Sequence, residues 1–163
     1  MAEPIKTVAV LVANPALSSI LSMTLAGASS LRVRPFDTQR ALITYLRLAP
    51  ADLVVADFDS VLSPADRLAE DLRRDRGINL PRLQIVALAS ALTAETKAAS
   101  IHAGIDEIIM KPMSPKYLVE RVLARLAKSR TMKPDVRRAK RGDWTSFGDN
   151  VVPLFRPEPE PQL

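Results

Sequence analysis

The sequence of 163 residues contains no cysteine, a single histidine and few aromatic residues. Without thiols the chain can form neither disulfides nor a cysteine-based metal or nucleophile site, and His102 alone cannot build a zinc centre. No apolar run approaches the roughly 20 residues that a transmembrane helix needs, and residues 1–4 lack the basic start and apolar block of a signal peptide. We therefore expect a soluble, unexported, cytoplasmic protein.

Positive charge is concentrated in one part of the chain. The net charge is +5 at pH 7. The segment from Lys128 to Arg141 contains many lysines and arginines but only one acid, Asp135. The chain then ends in a Pro-Glu repeat, which cannot pack a core. We place a domain boundary near Lys128, with a compact domain over residues 1–128 and a tail over residues 129–163 that is basic, then Pro/Glu-rich, with little regular structure.

Short apolar runs alternate with segments of helical period in the first part of the chain. The runs TVAVLV, LRVRPF, DLVVAD, RLQIVAL and DEIIM predict five strands. Helix starts are indicated by capping residues at Asn14, Asp37, Ser63, Thr93 and Ser114. Strands that alternate with single helices predict an α/β domain, a doubly wound parallel five-stranded sheet of the (βα)5 flavodoxin-like type.

Ligands of such sheets bind beyond the carboxyl ends of the strands, where the strand order reverses. Polar or small residues follow the predicted strands at that edge: Val12, Ala13, Asn14, Asp57, Ala89, Ser90 and Lys111. This set is the candidate site.

Residues 5–127 resemble the receiver domain of bacterial response regulators, the CheY-like fold. ADLVVAD resembles the third strand of that family, which ends in the phosphoacceptor aspartate, here Asp57. AGIDEIIMKPMSPKYLVERV resembles the fifth strand and helix, which makes Lys111 the switch lysine and implies a cis bond between Lys111 and Pro112. The resemblance implies two-component signalling by phosphorylation of the aspartate with Mg²⁺.

The metal ligands depart from that pattern. The family's paired acids fall at Val12 and Ala13, whose hydrocarbon side chains cannot bind Mg²⁺, an ion that prefers several oxygen ligands. Asn14 would supply only a neutral ligand, and Asp59 falls where the family uses a backbone carbonyl. We expect no tight Mg²⁺ site and no other metal.

The switch residues depart as well. Ala89 replaces the hydroxyl that holds the phosphoryl group, with Ser90 expected to face elsewhere, and Ile108 replaces the mobile aromatic. The sequence predicts a pseudo-receiver in which Asp57 and Lys111 form a structural ion pair. Residual phosphorylation of Asp57 is the alternative.

A receiver without a phospho-switch acts through its surfaces. The resemblance implies a docking face formed by the fourth helix, fifth strand and fifth helix. Its candidate contacts are Lys97, Lys116, Tyr117, Glu120 and Arg121, although a solvated helix face explains the same charges.

The tail offers a second set of candidate contacts. Arg137, Arg138, Arg141, Asp143 and Trp144 can bind phosphates, accept from a guanine edge and stack on bases. This set is similar to the arginine-rich tails of CheY-like cyclic-di-GMP effectors, which control motility or attachment. A basic arm that contacts nucleic acid, membrane or an acidic protein is the alternative.

An apolar cluster follows in the tail. Val151, Val152, Leu154 and Phe155 predict either a docking peptide or a segment that packs back onto the domain. Together these features predict a stand-alone, non-enzymatic adaptor, without a catalytic residue or a bound cofactor, that binds a signalling or motility protein. The alternatives are a cyclic-di-GMP effector and a response regulator that is phosphorylated at Asp57.

Overall fold

The computed structural model describes residues 3–128 and the backbone of residues 151–153. Strands and helices alternate along the chain: β1 (Lys6–Leu11), α1 (Pro15–Ala26), β2 (Leu31–Pro35), α2 (Gln39–Leu48), β3 (Leu53–Asp57), α3 (Ala65–Arg74), β4 (Gln84–Ala89), α4 (Ala94–Ala103), β5 (Glu107–Met110), α5 (Pro115–Lys128) and β6 (Val151–Pro153). No helix of the described residues is long and apolar enough to cross a membrane.

The strands form one sheet in the order β2-β1-β3-β4-β5-β6. The first five strands are parallel, which confirms the predicted (βα)5 architecture. β6 is antiparallel to β5 and adds three residues of the tail, Val151–Pro153, to the predicted five strands. A three-residue strand is too short to show a periodic pattern, and only the backbone of β5 gives it a partner.

Helices cover both faces of the sheet. One core layer lies under α2, α3 and α4 and includes Leu42 and Leu68, and the other lies under α1 and α5 and includes Leu25 and Val122. Each fully buried leucine contributes roughly 1.5–3 kcal/mol. Every residue of β3 is buried, so the sheet carries Asp57 at the end of its most enclosed strand.

Most helix starts lie where the sequence places them. Asn14 caps α1, and α4 ends at Gly104, whose φ of 82° is left-handed and suits glycine. The cap of α2 is Thr38 and not Asp37, because the Thr38 hydroxyl lies three residues before the Ala41 amide that donates to it. α3 begins after Pro64 with no side-chain cap bond.

Candidate functional site

The site lies at the carboxyl edge of the sheet, where three neighbouring strands end. Asp57 is the last residue of β3 and is only 4% exposed. Lys111 follows β5, and its amide donates to the Ala89 carbonyl at the end of β4 over 2.8 Å. The peptide bond between Lys111 and Pro112 is cis, as the resemblance implied.

The Lys111 ammonium lies between two carboxylates. Its Nζ donates to Asp57 Oδ1 at 3.0 Å and to Asp57 Oδ2 at 3.2 Å. The same Nζ lies 2.7 Å from Asp59 Oδ2. A single cation therefore bridges Asp57 and Asp59, and the predicted pairing of Asp57 with Lys111 is present in the structure.

Asp59 is held by the end of the neighbouring strand. Its Oδ2 accepts from the Ser90 hydroxyl at 2.5 Å and from the Ser90 amide at 3.1 Å. Its own amide donates to Asp57 Oδ1 at 2.9 Å. The expectation that Ser90 faces elsewhere is wrong, because Ser90 lies one residue past the strand and its hydroxyl turns toward the loop that carries Asp59.

The ion pairs set the charge states of the site. Burial raises the pKa of Asp59, but hydrogen bonds from Lys111 and Ser90 outweigh it, so the pKa lies below its ordinary value. Burial lowers the pKa of Lys111, but hydrogen bonds to Asp59 and Asp57 outweigh it, so this pKa lies above its ordinary value. The ammonium and the Asp59 carboxylate are therefore both charged at neutral pH.

The residues around Asp57 do not fit a magnesium ion. Val12 is buried hydrocarbon and Ala13 presents a methyl group, so neither supplies an oxygen ligand. The side-chain oxygen of Asn14 already accepts from the Leu17 amide at 3.1 Å. No group of three or more histidine or acidic residues that could hold a metal ion occurs within residues 3–128. Val12, Ala13 and Asn14 therefore offer Mg²⁺ neither of the paired carboxylates that the resemblance places there.

The positions of the family's switch residues are packed into the core. Ala89 is 1% exposed and offers no hydroxyl, and Ile108 is fully buried. Ile108 belongs to the same apolar cluster as Ala103 and Ile105, on the layer that α4 covers. An aliphatic side chain enclosed in this way cannot exchange between inward and outward positions as an exposed aromatic can.

A cleft of about 580 Å³ opens beside the site, between the loop after β3 and the start of α4. Phe58, Pro64 and Ala99 provide its apolar walls, while Asp59 and Glu95 are acidic. The same loop exposes two neighbouring apolar side chains, Val61 at 93% and Leu62 at 95%.

Only some residues of the predicted docking face are exposed to solvent. Lys116 and Glu120 are exposed, whereas Lys97 and Tyr117 are half-buried. Arg121 is engaged inside the domain, because its Nε donates to Glu107 Oε1 at 2.7 Å.

A buried ion network explains why Arg121 is held. Glu107 in β5 is 2% exposed and also pairs with Arg125 Nε at 3.1 Å. Sequence reasoning missed Glu107 and Arg125, although an acid inside an apolar strand and two arginines four residues apart on α5 were signals for such a network.

The tail residues predicted to bind a ligand lie outside the described residues: Arg137, Arg138, Arg141, Asp143 and Trp144. Leu154 and Phe155 also lie outside them. For Val151 and Val152 the structure gives the backbone, which pairs with β5.

No family model matches the chain. A curated relative, the DNA-binding response regulator MtrA of Mycolicibacterium smegmatis, is 30% identical over 116 residues, which is 71% of this chain and 48% of MtrA. The chain thus spans about half the length of this relative.

Solved structures of receiver domains superimpose closely on the chain. A CheY-like receiver domain protein from Methanospirillum hungatei has a TM-score of 0.69 at 19% identity and covers 77% of this chain and 97% of its own. The chemotaxis protein CheY4 of Vibrio cholerae has a TM-score of 0.66 at 17% identity and covers 74% of this chain and 98% of its own. These likenesses show that the domain has the CheY-like receiver fold, as the sequence predicted.

Proposed function

We propose that this chain is a receiver-fold module of two-component signalling that acts as a cytoplasmic, non-enzymatic adaptor, and that Mg²⁺-dependent phosphoryl transfer does not operate it. The observation that carries the proposal is hydrocarbon at Val12 and Ala13, where the resemblance places the paired metal-binding acids. At the same edge of the sheet the Lys111 ammonium lies 3.0 Å from Asp57 and 2.7 Å from Asp59. Lys111 thus holds Asp57, the carboxylate that would accept a phosphoryl group, together with Asp59.

The arrangement disfavours phosphorylation of Asp57 for two reasons. Both carboxylate oxygens of Asp57 already accept hydrogen bonds from Lys111, and Oδ1 also accepts from the Asp59 amide. An attacking oxygen would have to give up these bonds, and no pair of acids at Val12 and Ala13 holds a metal that would neutralise the incoming phosphoryl group. A domain of this kind presents one constant surface, which suits an adaptor that binds a signalling or motility protein.

Phosphorylation is tested with acetyl phosphate and MgCl₂ on the full chain, followed by intact mass spectrometry. We expect no added phosphoryl group on the wild type, as on the Asp57→Asn control. A labile phosphoryl group on the wild type that is lost in Asp57→Asn would refute the proposal and support the alternative of a phosphorylated response regulator.

The variant Ala13→Asp tests whether a missing carboxylate prevents the wild type from binding Mg²⁺. Ala13 is exposed two residues past the end of β1, which runs parallel to β3 and ends at the same edge of the sheet as Asp57. We expect calorimetry to detect Mg²⁺ binding to this variant and none to the wild type. Ala98→Asp adds the same charge at an exposed position of α4 and is the matched control. Equal Mg²⁺ binding by the wild type would contradict the argument.

The tail supports a second candidate function, a cyclic-di-GMP effector. The supporting observation is the sequence from Arg137 to Trp144, in which Arg137 and Arg141, with three residues between them, precede an acid and a stacking aromatic. Calorimetry with cyclic-di-GMP on the full chain and on Arg137→Ala/Arg141→Ala tests it, and binding lost in the double variant is the expected result. Binding to many oligonucleotides with steep salt dependence would instead indicate a nucleic-acid arm.

A further inference from the structure

The two edges of the sheet differ in how they are protected. The β2 edge carries exposed Arg32 and Arg34 and ends in Pro35, features that discourage pairing with another strand. The β5 edge has no comparable protection, because its one charged side chain, Glu107, is turned inward to arginines of α5. Its free backbone groups are instead met by β6, a segment from the tail.

The backbone geometry shows which groups join β6 to β5. The register places Pro153, which has no amide proton, opposite Glu107, so the mutual hydrogen bonds of this antiparallel ladder fall on the next pair, Ile108 and Val152. The Ile108 amide therefore faces β6, where its partner in register is Val152. Pro153 lies opposite Glu107, so the amide proton that proline lacks would have pointed away from β5.

β6 holds this edge weakly. It has three residues, shorter than an ordinary strand, and within the described part of the chain its register gives one mutually hydrogen-bonded pair, Ile108 with Val152. The hydrogen bonds of that pair must offset the conformational entropy lost when the segment is ordered. In the sequence β6 is separated from the end of α5 at Lys128 by residues 129–150.

We propose that the outer edge of β5 is a docking site for an extended apolar strand of a partner protein, and that β6 occupies the edge until the partner displaces it. The chemistry of the partner follows from the segment that fits: an antiparallel strand with β-branched residues, as in Val151 and Val152, bound mainly through its backbone. The inference builds on the proposed adaptor role. Its test uses no phosphoryl donor, so either proposal can fail without the other.

Nuclear magnetic resonance on the ¹⁵N-labelled full chain tests this docking. The probe is a synthetic peptide of residues 149–155, and a copy with proline at position 152 is the control peptide. Val152→Pro in the protein removes the amide proton that faces Ile108, whereas Val151→Pro removes one that points away and is the matched control variant.

We expect the peptide to shift the Ile108 and Met110 amides of the protein. If β6 is docked about 90% of the time, its release in Val152→Pro tightens the apparent affinity for the peptide about tenfold. Val151→Pro should bind as weakly as the wild type, and the control peptide should bind neither protein.

Three results would overturn the proposal. The first is that millimolar peptide leaves the β5 amides of Val152→Pro unshifted, and the second is that the two proline variants behave alike. The third is a concentration-dependent dimer of the wild type whose β5 amides shift without peptide, which would make a second copy the occupant. Circular dichroism of both variants checks that each keeps the fold.

Discussion

Replacing Lys111 by methionine tests the ion-paired site most directly. Methionine keeps an apolar stem of similar length but removes the ammonium that bridges Asp57 and Asp59. Asp57, only 4% exposed, would keep the hydrogen bond from the Asp59 amide and lose both bonds from Lys111. We expect a large loss of folding stability, since an uncompensated buried charge remains.

The size of the stability loss in Lys111→Met depends on how exposed the two carboxylates are. Removing one member of a buried ion pair costs about 3–5 kcal/mol, and the lower end applies here because the Asp59 side chain is 43% exposed and regains water. A loss of about 3 kcal/mol corresponds to a drop in melting temperature of roughly 10 °C for a domain of this size.

Urea unfolding at neutral pH measures the loss, and a double-mutant cycle with Asp57→Asn assigns it. Asp57→Asn alone should cost about 1 kcal/mol, because Lys111 keeps Asp59 as partner. In Asp57→Asn/Lys111→Met the buried charge is gone, so the double variant should lose about 2 kcal/mol, less than Lys111→Met alone, which is a coupling of about 2 kcal/mol. A loss below about 1 kcal/mol in Lys111→Met, or additive effects, would refute the reasoning.

The pKa shifts of Lys111 and Asp59 determine how the stability difference between the wild type and Lys111→Met depends on pH. The pKa of Lys111 is raised above its ordinary 10.5, so its contribution is fully present below that pH and is lost as the pH rises through the folded-state value. The pKa of Asp59 is lowered below its ordinary 3.8, so its contribution is present above that pH and is lost as the pH falls through the folded-state value. The stability difference between the wild type and Lys111→Met should therefore be constant between these limits.

Three further variants test the scaffold by urea unfolding. Burial raises the pKa of Asp106 above its ordinary 3.8, although a hydrogen bond from the Ile85 amide and the charge of Arg73 oppose the shift. Its contribution to stability therefore falls as the pH rises above that value, and Asp106→Asn should flatten the wild-type slope there; an unchanged slope would contradict this. Gly104→Ala should cost about 1–2 kcal/mol, because φ is 82° and the new Cβ would lie 3.2 Å from Arg73 Nε, and a neutral result would be incompatible with the left-handed cap. Glu107→Ala should cost about 3 kcal/mol by leaving two arginines of α5 without their buried carboxylate, whereas Glu120→Ala, at an exposed position of the same helix, should cost little.

Much of the fold was predictable because apolar residues recur along the chain at the spacing of the strand or helix that they bury. Apolar runs predicted β1, β3 and β4 as strands, and the cap Asn14 gave the start of α1. The helical period alone would place Ile20 on the same face of α1 as Leu17, Leu21 and Leu25, but Ile20 is 50% exposed. The buried stripe of that helix is narrower and runs through Leu21 and Leu25.

The site was predictable in part. Asp57 and Lys111 stand at the ends of parallel strands, which meet at one edge of the sheet, so their proximity followed from topology. The role of Ser90 did not follow, because it depends on the path of the loop that carries Asp59. Glu107 and Arg125 escaped notice because neither lies at the edge where the sequence indicated a site.

By itself the amino-acid sequence determined that hydrocarbon stands at Val12 and Ala13, and no arrangement of the backbone gives those side chains a ligating oxygen. It also determined the order of strands and helices, since periodic burial is a local property of the chain. Only the tertiary structure decided that Lys111 bridges two carboxylates, one of them 54 positions away, and that a tail strand covers β5. Such contacts depend on which strands become neighbours, and the folded sheet settles that order.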